Sequence, residues 1–514
     1  MKRILPIFLI FTACFHVSSA QQNNPLRLEL NANLDMESYN LVPCGEEGLL
    51  VFYESPDKGS EPDTYIWHFA FYDKLFRQKW LADTALISGV KFSGYDRDGT
   101  NTYLAFHDAG KQKTLPNLQV LKVDYELNRF EILNYRVREK ADLMDFRIVD
   151  QHVLATFNNE SFEPFMIFLK PGQEETKEFV PDIEGMNLIQ QVYDSEESGK
   201  LMLVVDNYIE KRQNAIYVIE TGMNAEAVKT YRINPALENK VINEARIAGA
   251  DRDTLIIMGT YSNFASRVSE NTDETGQENT GYFISKFIDD KEVFINYYNF
   301  LEFEEMYRAL NSNALSEVNR KAQKHKKRGE EFSLDYTLLL HDVIPFGKDF
   351  VLLAEAYYPE YRTVTNMYYD YYGRPIPQTY TVFDGYHYTS GVAAAFSADG
   401  SLVWDDGIDI HDIMTFDLDK YLSAYVSGDE IAFFYSSTNH LYYKIAGHGE
   451  DNGPLQHVVI ESKYRGDKVM EDLGSKISHW YGNYFLCYGY QKIRNNRVGE
   501  GKRTVFYISK MAFN

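Results

Sequence analysis

The chain has 514 residues, 44% of them hydrophobic and 15% aromatic, and carries a formal net charge of −23. That apolar content excludes a disordered chain and supplies a large core. A surface of that sign repels phosphate backbones and anionic lipid, which argues against nucleic-acid binding.

Residues 1–20 read as a secretory signal peptide. Lys2 and Arg3 supply the positive start, Ile4 to Ala13 form an apolar run, and Ser18-Ser19-Ala20 offers small residues for cleavage before Gln21. The run is too short to span a bilayer. "FTAC", Phe11 to Cys14, resembles a lipobox loosely, with Phe11 where an aliphatic residue is usual. Ordinary cleavage is the favoured reading, and a lipoprotein anchored through Cys14 is the alternative. No other stretch has the length and apolarity of a transmembrane segment. The mature chain, 21–514, is therefore expected to be exported, and periplasmic or outer-membrane associated.

"LRLELNANL", Leu26 to Leu34, alternates as a half-buried strand does. After it a unit recurs. An apolar strand precedes a hairpin, as "EEGLLVFYES" precedes "WHFAFYDKLFRQKW" and "DRDTLIIMGTYS" precedes "GYFISKFIDDKEVFINYY". With the strand ahead of these, each unit reads as four strands, A to D, over about 45–60 residues, the size of a propeller blade. Strands B, such as "LLVFY", "LIIMG", "FVLLA" and "IAFFY", are continuous apolar runs. Burial on both faces produces such runs, whereas a membrane barrel would alternate. The fold class predicted is all-β, a single propeller domain over 21–514 with eight four-stranded blades, or seven as the alternative. The last unit, "TVFYISKMAFN" from Thr504, lacks an outer strand. The N-terminal strand would supply it and close the ring. Closure would also bring Cys44 towards Cys487, and a disulfide between them is an expectation of this topology, against two separate buried thiols.

"GYDRDGT" and "GADRDT", from Gly94 and Gly249, are near copies and read as hairpin turns. Three insertions interrupt units five and six: Phe264 to Thr280, a segment at 301–331 with helical periodicity ending in "RKAQKHKKR", and a tyrosine-rich stretch within 362–391. All are B–C or D–A connections, which leave one face of a propeller, so one raised patch is expected. In "NMYYDYYGRPIPQTYTVFDGYHY" the arms would be "NMYYDYY" and "TYTVFDGYHY", with "GRPIPQ" as the turn. Tyr368, Tyr369, Tyr371, Tyr372, Arg374, Tyr386 and Tyr388 are the binding candidates, because tyrosine pairs a large apolar face with a polar tip. Cross-strand tyrosine pairs stabilising the hairpin itself are the competing reading.

"WDDGIDIHD", Trp404 to Asp412, is rich in oxygen ligands but lacks calcium-loop spacing and reads as a solvated loop. HExxH, GxSxG, P-loop and zinc-spaced cysteine patterns are missing from the sequence. No catalytic residue, metal or cofactor is therefore assigned. The chain resembles exported β-propeller proteins of the kind common in Bacteroidota, on the repeat pattern, the "SSAQ" start and the Asp-Gly turns. The resemblance implies a fold and carries over no site residues. The functional expectation is a non-catalytic binding or scaffold protein of the bacterial envelope, recognising a protein or glycan. The alternative is a glycan hydrolase or lyase with two carboxylates in the central funnel.

Overall fold

A computed structural model describes residues 26–513, apart from 35–37, 100, 109–116, 126, 138, 173–175, 196–197, 211–212, 234–239, 264–277, 448–452, 498–500, and most of 304–333. Residues 1–20, read above as a signal peptide and including Cys14, and most of the first insertion lie outside the described residues.

Seven sheets hold four strands each, and one further sheet holds seven. In chain order they begin at Asn40, Lys91, Ala141, Met186, Lys240, Tyr336, Ser423 and Lys468, and are called sheets 1 to 8. In six of the seven four-stranded sheets the strands follow one another in chain order, and neighbours are antiparallel. The B strands are buried along nearly their whole length, as in Thr254–Asn263 of sheet 5. Apolar side chains on both faces of such a strand need a neighbour on each side. The neighbours are the adjoining sheets. Val204 of sheet 4 packs with Ile257 of sheet 5 in one core, and Met258 of sheet 5 with Leu352 of sheet 6 in the next. The series ends where Leu486 and Phe506 of sheet 8 meet Leu49 and Val51 of sheet 1. Last sheet therefore packs on first, and the ring is closed.

Covalent order closes the ring a second way. Arg27–Asn31 pairs antiparallel with Lys502–Ala512 and is the outer strand of sheet 8, with Leu28 opposite Ile508. Arg27 reaches Gln491 at 2.8 Å and lies over the Tyr507 ring at 4.4 Å. Arg503 joins Glu29 at 3.0 Å and Asp467 at 2.6 Å. Burial alone would raise Asp467, but hydrogen bonds from Arg503 and Asn495 outweigh it and hold the carboxyl below its usual range.

Three expectations need correction. Eight four-stranded blades are not found: seven sheets have that form, the number given as the alternative, and sheet 6 holds seven strands. Cys44 and Cys487 are both buried free thiols. Cys44 lies in the core between sheets 1 and 2, and Cys487 in the core between sheets 7 and 8. The two point to opposite sides of the junction, and the core between sheets 8 and 1 separates them. Of the helix expected over 301–331, the described residues show a 3-10 turn at Phe300–Glu302. Ser316, Arg320, Gln323, Lys324 and Lys327 carry helical backbone with exposed side chains, and the rest lies outside the described residues. The Asp-Gly turns are hairpin connections as expected, and Gly99 takes φ +56°.

Candidate functional site

Strands 6B (Asp349–Tyr369) and 6C (Pro375–Ser397) have 21 and 23 residues, against 8 to 11 for most B strands. They pair from Asp349 opposite Ser397 to Tyr369 opposite Pro375, with the register shifting between Ala356 and Tyr357 and again between Glu360 and Tyr361. The lower half is core, where Val351 to Ala354 and Val392 to Phe396 are fully buried. From Tyr361 outward the two strands leave the ring as a ribbon with both faces open. Nearly every residue of 361–381 is exposed. At 3.3–3.4 Å per residue, the nine residues from Tyr361 to Tyr369 reach about 30 Å.

The tip is built differently from the sequence expectation. The turn is Asp370 to Arg374, and "PIPQ" belongs to strand 6C. The Asp370 carboxylate accepts from the Tyr372 N–H at 2.9 Å and the Arg374 N–H at 2.8 Å. Gly373 takes φ +72°, a conformation costly for other residues. An Asp and a Gly three residues apart are thus the turn signal, and the prolines are not. The Asp370 N–H donates to the Arg374 oxygen at 2.9 Å, which makes this rung a hydrogen-bonded pair. Alternation along an antiparallel ladder then turns the N–H positions of 375 and 377 outward. Pro375 and Pro377 occupy those positions and cost the ladder nothing.

Five of the seven candidate residues stand together at this tip. Relative exposure is 53% for Tyr368, 72% for Tyr369, 97% for Tyr371 and 77% for Tyr372. Arg374 lies over the Tyr372 ring at 5.5 Å, and Tyr371 meets Tyr372 edge-on at 5.5 Å. The other two candidates lie at the base. Tyr386 is half-buried and packs against Phe383 at 4.9 Å. Tyr388 is wholly buried, its hydroxyl donating to the Asp419 carbonyl at 2.6 Å and accepting the Asp419 N–H at 3.1 Å. Burial, with the Glu355 charge adding, pushes its phenol well above the ordinary range. Tyr388 is therefore a core residue and no surface contact. Sequence reasoning also missed exposed partners on the same ribbon: Met367, Ile376 and Tyr380, at 56%, 52% and 43%. The apolar alternation of "NMYY" and "PIPQTY" is the signal that could have found them.

The described end of the first insertion meets sheet 6. There Glu278–Asn279 pairs with the inner edge of Tyr336–Leu340. Strand A of sheet 6 is itself split into Tyr336–Leu340 and Ile344–Phe346. Below the ribbon, Glu355 is buried and accepts from the Tyr421 and Leu422 N–H groups, each at 2.8 Å, with His341 Nε2 at 2.7 Å. This clip ties strand 6B to the chain entering sheet 7.

Charges also line the inner strands. Arg246 stands 3.4 Å from Glu244 and 3.5 Å from Asp342. Asp342 accepts from Gln191 at 2.9 Å, and Arg147 pairs with Asp145 at 3.1 Å. Burial raises the Asp145 carboxyl, Arg147 opposes, and the Asp342 charge adds. Asp145, Glu244 and Asp342 thus each have a guanidinium within 3.5 Å. "WDDGIDIHD" proves to be mostly strand, Leu402–Asp409, and not a solvated loop. Asp405 and Asp406 are buried, and Asp406 pairs with Lys444 at 2.5 Å. Among the described residues no three His, Cys, Asp or Glu side chains are grouped to hold a metal ion. No described helix is long and apolar enough to cross a membrane.

Radial four-stranded sheets, the cores between them and the shared last sheet define a β-propeller. No protein-family model matches the chain, and no curated protein matches it. Among solved structures it is similar to the β-propeller domain of the Trilobed protease from Pyrococcus furiosus, with 8% identity, a TM-score of 0.34, and coverage of 81% of this chain and 93% of that one. It is similar to the Dos1 propeller at 10% identity and TM-score 0.38, covering 83% and 85%. A third similarity is to the WD40 domain of SCAP from fission yeast, at 8% identity and TM-score 0.38, covering 94% and 97%. Likenesses of this kind concern the fold alone.

Proposed function

We propose that this propeller is an exported, non-catalytic binding or scaffold protein of the bacterial envelope, and that the ribbon of strands 6B and 6C is its recognition element. The carrying observation is the ribbon's exposure. A two-stranded hairpin gains little stability alone in water. This one still holds Tyr368, Tyr369, Met367 and Ile376 more than half exposed, and Tyr380 at 43%. Contiguous apolar surface of that kind marks an interaction site. Tyrosine loses few rotamers on binding, and Arg374 at the tip adds a fork for a carboxylate. The apolar mixture with Met, Ile and Pro favours a protein partner over a glycan, which needs more amide and carboxylate groups. Export rests on the pattern of residues 1–20.

The test replaces Tyr368, Tyr369, Tyr371 and Tyr372 together by Ala. The protein should fold unchanged and lose the partner that the wild type retains from envelope extract. Equal retention by both proteins would refute the assignment, and retention of purified glycans alone would move it to sugar recognition.

A further inference from the structure

The ribbon has two outer edges, and they differ. Hydrogen-bonded rungs at Arg362, Val364, Asn366 and Tyr368 of strand 6B follow by alternation from the Asp370–Arg374 rung. The rungs between them turn their N–H groups away from the partner strand. On 6C two of those positions are Pro375 and Pro377, which have no N–H to offer, a known guard of sheet edges. On 6B the corresponding positions are Tyr361, Thr363, Thr365, Met367 and Tyr369. None is proline, none is Lys or Glu, and among the described residues no strand pairs with this edge. The 6C edge is guarded at its tip half, and the 6B edge is unguarded along its whole length.

We infer that the open edge of strand 6B pairs antiparallel with the same edge of a second copy of this chain, about a two-fold axis at Thr365. Three observations select this occupant. The first is self-complementarity. With Thr365 opposite Thr365 of the partner, Tyr361 faces Tyr369, Arg362 faces Tyr368, and Thr363 faces Met367. An aromatic pair, a cation–π pair and a threonine pair are all favourable across strands. Thr365 already lies 3.3 Å from Thr379 on its own ribbon, so the threonine row would run on through the partner. The second is charge. The chain carries −23, yet residues 361–383 hold two arginines and one aspartate, a net +1. Across Tyr361–Tyr369 the pairing sets no like charges opposite one another. The third is reach. The axis lies about 14 Å beyond Tyr361 on each side, so the bodies stay several Debye lengths apart at physiological salt. The next rung outward would oppose Glu360 to Asp370, and this limits the pairing to Tyr361–Tyr369. Five outward N–H groups per copy give about ten backbone hydrogen bonds.

The pairing engages the edge and sets Tyr361, Tyr368 and Tyr369 beside residues of the partner, while the turn with Tyr371 and Tyr372 remains free. The inference therefore does not depend on the proposed recognition of another partner, and either can fail alone.

Register makes it testable. Thr365→Cys places two thiols on opposed residues of a hydrogen-bonded rung, with Cα atoms about 5.5 Å apart, within disulfide range. Under mild oxidation Thr365→Cys should give a covalent dimer, which wild type, with Cys44 and Cys487 buried, does not. Met367→Cys alone should form no covalent dimer, because its counterpart lies about four residues away; mixed with Thr363→Cys it should cross-link. Sedimentation of the unmodified chain up to about 100 µM should show mass doubling, since a strand edge buries less than a standard interface. Thr365→Pro should weaken that association about 100-fold, whereas Thr379→Pro on the guarded edge should not. A monomer at all concentrations, or cross-linking equal for Thr365→Cys and Met367→Cys, overturns the inference.

Discussion

Tyr371 and Tyr388 look alike in the sequence and differ completely in the structure. Tyr371 is 97% exposed at a turn, and Tyr388 has none of its surface in water. Replacing Tyr388 by Ala should cost about 3–5 kcal/mol, from the cavity and from the Asp419 groups left unpaired. Tyr371→Ala should stay within about 0.5 kcal/mol. Urea unfolding of both variants measures the contrast, and equal losses would contradict the packing described. Asp406 gives a pH test. Burial pushes its carboxyl from 3.8 up to about 6, with Lys444 opposing. Between those values the folded protein holds a proton that the unfolded chain has released. Its contribution to stability therefore falls as pH rises from about 4 to 6. The stability of wild type relative to Asp406→Asn should fall over that window, and a flat difference would contradict it.

Strands were more legible than the turns and faces they carry. "LIIMG" and "FVLLA" disclosed strands buried on both sides, because local composition records burial on two faces. The ribbon's turn was not legible in the prolines. Both are strand residues whose missing N–H falls where the ladder has no need of it, and only the register reveals that. Tyr388 was misplaced because its burial depends on Asp419 and Tyr421, distant in sequence. The cysteine pair failed likewise: closure was correctly expected, but the side of the sheet to which each thiol points was not readable. The ribbon rests on its own pairing. Replacing residues 363–381 by a two-residue turn should therefore leave the melting temperature within about 2 °C, as calorimetry would show. A large fall would mean that the ribbon braces the ring.

In the whole molecule, stability comes from cores that join each sheet to the next, and the ring has one seam. Arg27–Asn31 holds it from the N-terminal side. Removing residues 26–31 leaves a free edge on Lys502–Ala512 and breaks the Arg503–Glu29 pair. The melting temperature should drop by roughly 10 °C or more, and an unchanged value would show that inter-sheet packing alone closes the ring. The ring presents the ribbon at one place, and the ribbon's exposed apolar surface is the basis for proposing it as the recognition element. Tyrosine-specific labelling tests that claim most directly, with the protein alone and with envelope extract. Tyr368, Tyr369, Tyr371, Tyr372 and Tyr380 should lose most of their labelling when extract is present, while Tyr95, 40% exposed and distant in sequence, keeps its own. Unchanged labelling of the ribbon tyrosines would contradict the account.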